Sequence, residues 1–166
     1  METIYSHHIY STVSRLPEKW DELAVSTIFL SKNYLAILEK SAPENMSCHF
    51  IGIFEKETLV GIAVSQFLDL NPLKSFGERD KCIKSSVRNS LFKNFCSHIL
   101  LIGNNTLTGQ NAFIISEKAN QAEVLKTLKK AVLALKEIFE NQGKKVHLCT
   151  LKDFYEDELS RFEIPE

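Results

Sequence analysis

The segment from residue 48 to residue 68 constrains the fold most strongly, because two long apolar stretches flank a short polar one. Residues 48–54 and 59–68 are rich in β-branched and aromatic side chains, and residues 55–58 between them are polar. This pattern is typical of a β-hairpin. Few polar residues interrupt either strand, so we expect other elements to cover both faces of the hairpin. The sequence therefore predicts a central sheet with helices on both sides.

Helical signals precede the hairpin, after a first strand predicted over residues 3–13. Pro17 suits the first position of a helix, and Ser31 is a good N-cap for a second helix. Leu30 and Leu35 flank this cap with the spacing of a hydrophobic staple. We therefore expect two helices between the first strand and the hairpin.

After the hairpin, the apolar pattern alternates between helix and strand. An apolar residue at every fourth position indicates a helix over residues 81–97. The predicted elements that follow are a strand at 98–103, a polar loop at 103–111, an extended piece at 112–115, a helix at 122–139 closed by Gly143, a strand at 145–150 and a helix at 152–162. This order predicts a single mixed α/β domain spanning residues 1–166, with helices on both faces of the sheet.

Composition excludes several classes of function. Twenty basic and twenty-one acidic residues give a net charge of −1, so the overall charge does not attract the chain to nucleic acid. No apolar run reaches the roughly 18 residues of a membrane span, and the N-terminus does not resemble a signal peptide. The four cysteines form no CxxC pair. We therefore expect a cytoplasmic protein with buried thiols and no metal site.

One basic and polar stretch is a candidate anion-binding site. No acidic residue lies between Asp80 and Glu117, whereas Lys84 and Arg88 lie in that stretch, ahead of the Gly-containing loop at 103–111. Backbone N–H groups of such a loop, together with nearby cations, commonly bind phosphate groups. Two other interpretations stay open: a solvated basic helix face, and an ordinary polar turn between two strands.

Three segments carry a resemblance to a known family: residues 26–39 (STIFLSKNYLAILE), 59–64 (LVGIAV) and 100–109 (LLIGNNTLTG). With the order of elements, they resemble the GNAT superfamily, which has the acyl-CoA N-acyltransferase fold. More narrowly, the chain is similar to the N-terminal part of GNAT-like proteins grouped with Fem-type peptidoglycan aminoacyltransferases. The resemblance implies a three-layer domain with a mostly antiparallel central sheet. It also implies acyl transfer from acetyl-CoA or another acyl-CoA to an amine.

The resemblance also implies where cofactor and substrate would bind. Cofactor contacts would come from Lys84, Arg88, Gly103, Asn104, Asn105, Thr108, Gly109 and Gln110. Glu78 and Asp80 are weak candidates for the base that keeps the attacking amine neutral, with loop charges paired to neighbouring cations as the alternative. The acceptor would be a small-molecule amine or a molecule like a peptidoglycan precursor.

The chain departs from the family pattern at two places. Residues 110–113 do not reproduce the family's pyrophosphate loop, and the family's closing pair of strands has no counterpart in the sequence. These departures predict an incomplete or partner-completed domain. The alternative function is therefore a non-catalytic structural or partner-binding half, with a second GNAT-like unit or a second copy of this chain as its partner.

Overall fold

The computed structural model of this chain describes residues 4–71, 95–107 and 112–152. Their strands are β1 (Tyr5–Tyr10), β2 (Met46–Glu55), β3 (Thr58–Asp69), β4 (His98–Ile102), β5 (Phe113–Ile115) and β6 (Leu148–Leu151). Their α-helices are α1 (Trp20–Leu23), α2 (Lys32–Ser41) and α3 (Gln121–Asn141). Three short 3-10 turns, Val13–Arg15, Ala24–Ser26 and Ile28–Leu30, connect β1, α1 and α2.

The six strands form one mostly antiparallel sheet. The strand order is β1-β2-β3-β4-β6, and β5 pairs with β3 beside β4. Every pairing is antiparallel except that of β4 with β6. Helix α3 lies between these two strands in the chain and covers one face of the sheet. The predicted mixed α/β class, with helices on both faces of the sheet, is confirmed. The arrangement is compatible with a three-layer GNAT-like fold.

Strand β3 supplies side chains to two cores, because successive residues of a strand point to opposite faces. Ala63 and Phe67 pack in the core beneath α3. Ile62 and Val64 pack in the core beneath α1 and α2. The hairpin of β2 and β3 is therefore covered on both faces, as its unbroken apolar pattern predicts.

Helix α3 begins and ends close to its predicted limits. The side chain of Asn120 accepts hydrogen bonds from the first amides of the helix, and Gly143 follows its end with a φ of +77°. Glycine adopts this left-handed conformation without the steric cost that a Cβ adds. The buried stripe of the helix comprises Val124, Leu125, Thr127, Leu128, Ala131, Val132, Leu135 and Phe139. The predicted helix and its glycine cap are confirmed.

The segment before α2 is less helical than Pro17 suggests. Helix α1 has only four residues, and two 3-10 turns follow it. Trp20 anchors this segment: its side chain is fully buried, and its indole Nε1 donates to the Leu30 carbonyl at 2.8 Å. The predicted cap of α2 is confirmed, since the Ser31 hydroxyl accepts from the Tyr34 amide at 3.4 Å.

Some sequence predictions are wrong or lie outside the described residues. Cys48 is buried as expected, but Cys96 and Cys149 are exposed. The first of these lies in the turn before β4 and the second on β6, the last strand in the described strand order. Cys82, most of the predicted helix at 81–97 and almost all of that at 152–162 lie outside the described residues.

The limits of the C-terminal strand differ from the predicted ones. Strand β6 is shorter than the predicted strand at 145–150 and begins three residues later.

Among residues 4–71, 95–107 and 112–152, no helix has the length and apolarity that a membrane crossing requires.

Candidate functional site

The two ends of the polar loop that follows β4 form hydrogen bonds to the same residue of β3, Val64. The Val64 carbonyl accepts from the Gly103 amide at 2.9 Å, and the Val64 amide donates to the Ala112 carbonyl at 3.0 Å. Strands β4 and β5 therefore lie end to end along β3. We refer to residues 103–107 as the clasped loop.

Gly103 is required at the start of the clasped loop for two reasons. Its φ of +126° lies in a region that other residues rarely adopt. A Cβ at this position would also lie 3.3 Å from the Cβ of Lys152 and 3.5 Å from that of Ala112. The predicted importance of this glycine therefore has a clear backbone cause.

The Asn104 side chain holds the beginning of the loop together from inside. It is only 4% exposed. Its Nδ2 donates to the Tyr34 hydroxyl at 3.1 Å, and its Oδ1 accepts from the amide and hydroxyl of Thr106 at 2.9 and 2.7 Å. Asn104 thus connects the loop to α2, whereas Asn105 and Thr106 are exposed. A ligand contact through Asn104 stays a prediction.

Gln66 and Lys152 belong to this site although the sequence patterns do not single them out. Gln66 is fully buried in β3, and its Oε1 accepts from the Asn105 amide at 2.7 Å. Its Nε2 lies 3.5 Å from the Asn104 Oδ1 and 3.9 Å from the Cys48 sulfur. The polar pair Ser65 and Gln66 inside a mostly apolar strand was the available signal for Gln66, because buried polar groups need partners.

Lys152 brings a cation to the base of the clasped loop. Its backbone amide donates to the Ile102 carbonyl at 3.1 Å, just after β6 ends. Its ammonium group donates to the Asn104 carbonyl at 3.2 Å and to the Leu107 carbonyl. The residue therefore connects the end of β6 to the loop that follows β4.

The clasped loop lies at the carboxyl ends of the parallel strands β4 and β6. Strand β6 pairs with β4 from Ile99 to Ile102. Strand β5 pairs with β3 and, within the described strands, does not pair with β6. In open α/β sheets, ligands bind at the carboxyl ends of strands where neighbouring chains diverge. The loop occupies such a position.

The first turn of α3 is less suited to an anion. The amides of Ala122 and Glu123 already donate to the Asn120 Oδ1, at 3.1 and 3.3 Å. Glu123 adds a negative charge in that turn, and the Tyr5 hydroxyl and Glu55 lie nearby. Burial and the neighbouring carboxylates raise the pKa of Tyr5. At the clasped loop the amides of Gly103, Asn105 and Thr106 also have acceptors, but no acidic side chain lies among residues 103–107, and the Lys152 ammonium adds a positive charge.

Only some predicted cofactor residues can be placed. Gly103, Asn104 and Asn105 come together at the base of the clasped loop. The remaining candidates, Lys84, Arg88, Thr108, Gly109, Gln110, Glu78 and Asp80, lie outside the described residues.

A second polar cluster lies at the opposite end of β4. The His98 Nδ1 lies 2.8 Å from the Lys145 carbonyl, and its Nε2 lies 3.5 Å from the Asp69 Oδ1 and 3.1 Å from the Asn71 Nδ2. The His98 ring is parallel to that of His147, with 5.3 Å between centroids. Both His98 nitrogens thus have neighbours, so this histidine is not free to act as a base.

Burial and neighbouring groups lower the pKa of both His147 and His49. The His147 Nδ1 accepts from the His98 amide at 3.2 Å. Desolvation, with nearby His98 and Lys145, lowers the pKa of His147. Burial against Phe139 likewise lowers the pKa of His49, and this outweighs the opposing effect of the Ser47 backbone. The interpretation of these residues as core or edge histidines agrees with their surroundings.

Comparison with known proteins adds no assignment to this geometry. No protein-family model, curated protein or solved structure matches the chain. The function must therefore be argued from the site itself.

Proposed function

We propose that this chain is a GNAT-like unit that binds an acyl-CoA and contributes to acyl transfer from it to an amine. The observation that carries the proposal is the position of the clasped loop. It lies at the carboxyl ends of β4 and β6, the parallel pair of the sheet. Exposed Asn105 and Thr106 and the ammonium of Lys152 lie at this point.

The chemistry of coenzyme A fits such a loop. Its pyrophosphate and 3′-phosphate are anions, which bind to backbone amides and to nearby cations. In direct transfer, the amine nitrogen attacks the thioester carbonyl, the C–S bond breaks, and the thiolate of CoA leaves with a proton. The enzyme must then keep the amine neutral and stabilise the oxyanion. Glu78 or Asp80 would serve as the base.

A calorimetric titration with CoA and acetyl-CoA tests the cofactor part of the proposal. We expect saturable binding that is weakened by Lys84→Glu or Arg88→Glu. Lys129→Glu is the matched control, because this lysine is exposed on α3, and it should bind the cofactor as the parent chain does. An absence of heat at millimolar acetyl-CoA would contradict the proposal.

Gly103→Ala tests whether the loop backbone takes part. The new Cβ would strain the +126° φ and crowd Lys152, so the loop amides should shift. We expect weaker CoA binding with a normal far-UV circular dichroism spectrum. Unchanged CoA affinity in a folded Gly103→Ala protein would place the cofactor elsewhere.

The second candidate function is a non-catalytic half that binds a partner. The observation in its favour is strand β6, the last strand of the described sheet, where Leu148 is 51% and Leu151 40% exposed. Exposed strand edges with apolar side chains are natural surfaces for association. Light scattering distinguishes the two functions: a monomer that binds acetyl-CoA supports the first, whereas a dimer that binds no acyl-CoA supports the second.

A further inference from the structure

The segment just before β6 is joined to β4 by a hydrogen bond that depends on an ionisable side chain. The His147 amide donates to the His98 carbonyl at 3.0 Å. In a regular parallel ladder, the His98 amide would in turn donate to a carbonyl of the other chain segment, that of Lys145. It donates instead to the Nδ1 of the His147 ring, at 3.2 Å. An imidazole nitrogen therefore takes the place of a backbone carbonyl.

The Lys145 carbonyl is the partner of the other histidine ring. It accepts from the Nδ1 of His98, with 2.8 Å between the two atoms, because a carbonyl oxygen has no hydrogen to donate. The His98 ring is stacked on that of His147, with 5.3 Å between centroids and an interplanar angle of 5°. Two histidine side chains thus replace one bond of the ladder, and each ring limits the movement of the other.

The His147 ring can accept from the His98 amide only while its Nδ1 carries no proton. A neutral imidazole has one accepting nitrogen, whereas both nitrogens of the protonated ring are donors. After protonation, the Nδ1–H of His147 would face the N–H of His98, and two donors would meet at 3.2 Å. The Ser97 hydroxyl lies 3.5 Å from the same Nδ1 and can accept from it, but the His98 amide would still lose its acceptor.

Protonation of the His98 ring would have a smaller effect on the backbone. Its Nδ1 already carries a hydrogen, so the proton would add to Nε2, which lies 3.5 Å from the Asp69 Oδ1. The Asn71 Nδ2, which lies 3.1 Å from this Nε2, would have to turn away. The new N–H would gain a carboxylate acceptor in return. The contact of His98 Nδ1 with the Lys145 carbonyl would stay in place, so the sensitive group is His147.

The charges around the two rings oppose protonation of His147 in its place. Desolvation, together with His98 and Lys145, lowers the pKa of His147. Among the described residues, no carboxylate forms an ion pair with His147. Asp69 faces His98, and Glu140 pairs with Lys136 at 3.7 Å. The charged groups on the surrounding elements, within the described ranges, are Asp69 at the end of β3, Lys144 and Lys145 before β6, and Lys136, Glu137 and Glu140 near the end of α3.

We propose that His147 is an acid-sensitive latch: its neutral ring fixes the segment before β6 to β4, and its protonated ring releases this segment and the start of β6. Within the described strands, β6 pairs only with β4, from Leu148 to Leu151. Both of these leucines are already exposed, so little apolar burial opposes the opening. Acid would thereby uncover the edge of β4, where another strand can pair. The proposal does not depend on acyl-CoA binding.

Amide hydrogen exchange of the full chain, followed by NMR at pH 7.5 and 5.5, tests the latch. The observed rate of each amide is compared with its intrinsic rate at the same pH, which gives its protection. We expect the His147 amide and the hydrogen-bonded amides of β6 to lose protection severalfold at pH 5.5. The loss should be at most about tenfold, because opening takes up one proton below the ordinary histidine pKa of about 6.5. At both pH values these amides should be less protected than those of Leu128 and Leu135 in α3, since the opening is local.

Two variants at His147 separate loss of the acceptor from loss of its titration. The Oδ1 of asparagine can accept from the His98 amide and does not ionise. His147→Asn should therefore keep the protection of β6 at pH 7.5 and lose its dependence on pH. His147→Leu has no acceptor and should give low protection of β6 at both pH values.

His49→Gln is the matched control for acid effects elsewhere in the fold. The pKa of His49 is also lowered, but this residue lies on β2, which does not pair with β6 within the described strands. The variant should therefore keep the pH dependence of β6 protection seen in the parent. The latch is overturned if the parent protects β6 equally at the two pH values, if His147→Asn keeps the dependence of the parent, or if β6 and α3 amides are equally protected.

Discussion

At the scale of single residues, Gln66 connects the sheet to the candidate site. Its side chain has no exposed surface, yet it carries two polar ends. One end accepts from the Asn105 amide, and the other lies within hydrogen-bond distance of Asn104. A buried amide of this kind stabilises one loop conformation, because any other leaves polar groups without partners.

Gln66→Leu should therefore destabilise the protein although it preserves side-chain volume. The Asn105 amide would lose its 2.7 Å acceptor, and such an unpaired group costs about 1–3 kcal/mol. Urea denaturation measures this loss. Gln142→Leu is the matched control, since Gln142 is exposed after α3, and it should change stability by less than about 0.5 kcal/mol. Equal effects of the two changes would contradict the structural role of Gln66.

His49 predicts a dependence of stability on pH. Burial lowers its pKa below the ordinary value of 6.5. As the pH falls below 6.5, the unfolded chain binds a proton that the folded chain does not, so the free energy of unfolding decreases. One such proton changes this energy by at most about 1.4 kcal/mol per pH unit.

His49→Gln should flatten this dependence. Urea denaturation at pH 7.5, 6.5 and 5.5 gives the free energy of unfolding for both proteins. We expect a smaller decrease between pH 6.5 and 5.5 in the variant, because it lacks one histidine whose pKa the fold lowers. Gln142→Leu, a change at an exposed position with no titratable group, should retain the slope of the parent. A parent-like slope in His49→Gln would show that this residue is protonated equally in both states.

At the scale of elements, the contact between α3 and β3 depends on one glycine. A Cβ at Gly61 would lie 3.0 Å from the Val124 Cγ1 and 3.3 Å from the Ile53 Cβ. The first turn of α3 can therefore approach the sheet closely only because this position has no side chain. The residues of α3 that follow this turn pack in the core beneath α3.

Gly61→Ala should thus lower stability by about 1–3 kcal/mol through overpacking. Val124→Ala removes the atom that the new methyl group meets, so the double variant should be more stable than the sum of the two single losses predicts. Thermal or urea denaturation of all four proteins gives this coupling energy, which we expect to exceed about 0.5 kcal/mol. Additive losses would mean that the helix moves away from the sheet instead.

Elements with a strong local pattern could be predicted from the sequence. The α3 stripe, Gly143 at its end and the hairpin are all specified by residues close together in the chain. The candidate site could be predicted only in part. Gly103 is locally recognisable, but Gln66 meets Asn104 across 38 positions, and Asp69 meets His98 only because β4 pairs with β3. Such contacts depend on strand order, which hydrophobic periodicity does not determine.

At the scale of the whole molecule, one sheet supports two cores that share β2 and β3. Phe50 of β2 belongs to the core beneath α1 and α2, and its neighbour Ile51 belongs to the core beneath α3. Because both cores take side chains from these two strands, we expect a loss of packing in one core to disturb the other. The described parts of the chain should therefore unfold together.

The single tryptophan makes this cooperativity measurable. Trp20 is fully buried in the core beneath α1 and α2, whereas the far-UV circular dichroism signal comes largely from α3, the longest described helix. Leu135→Ala removes a fully buried side chain from the opposite core and should lower stability by about 2–5 kcal/mol. We expect its fluorescence and circular dichroism transitions in urea to shift together. Coincident transitions are expected for two-state unfolding. If the circular dichroism midpoint shifted while the Trp20 fluorescence midpoint stayed at the parent value, the two cores would be independent units.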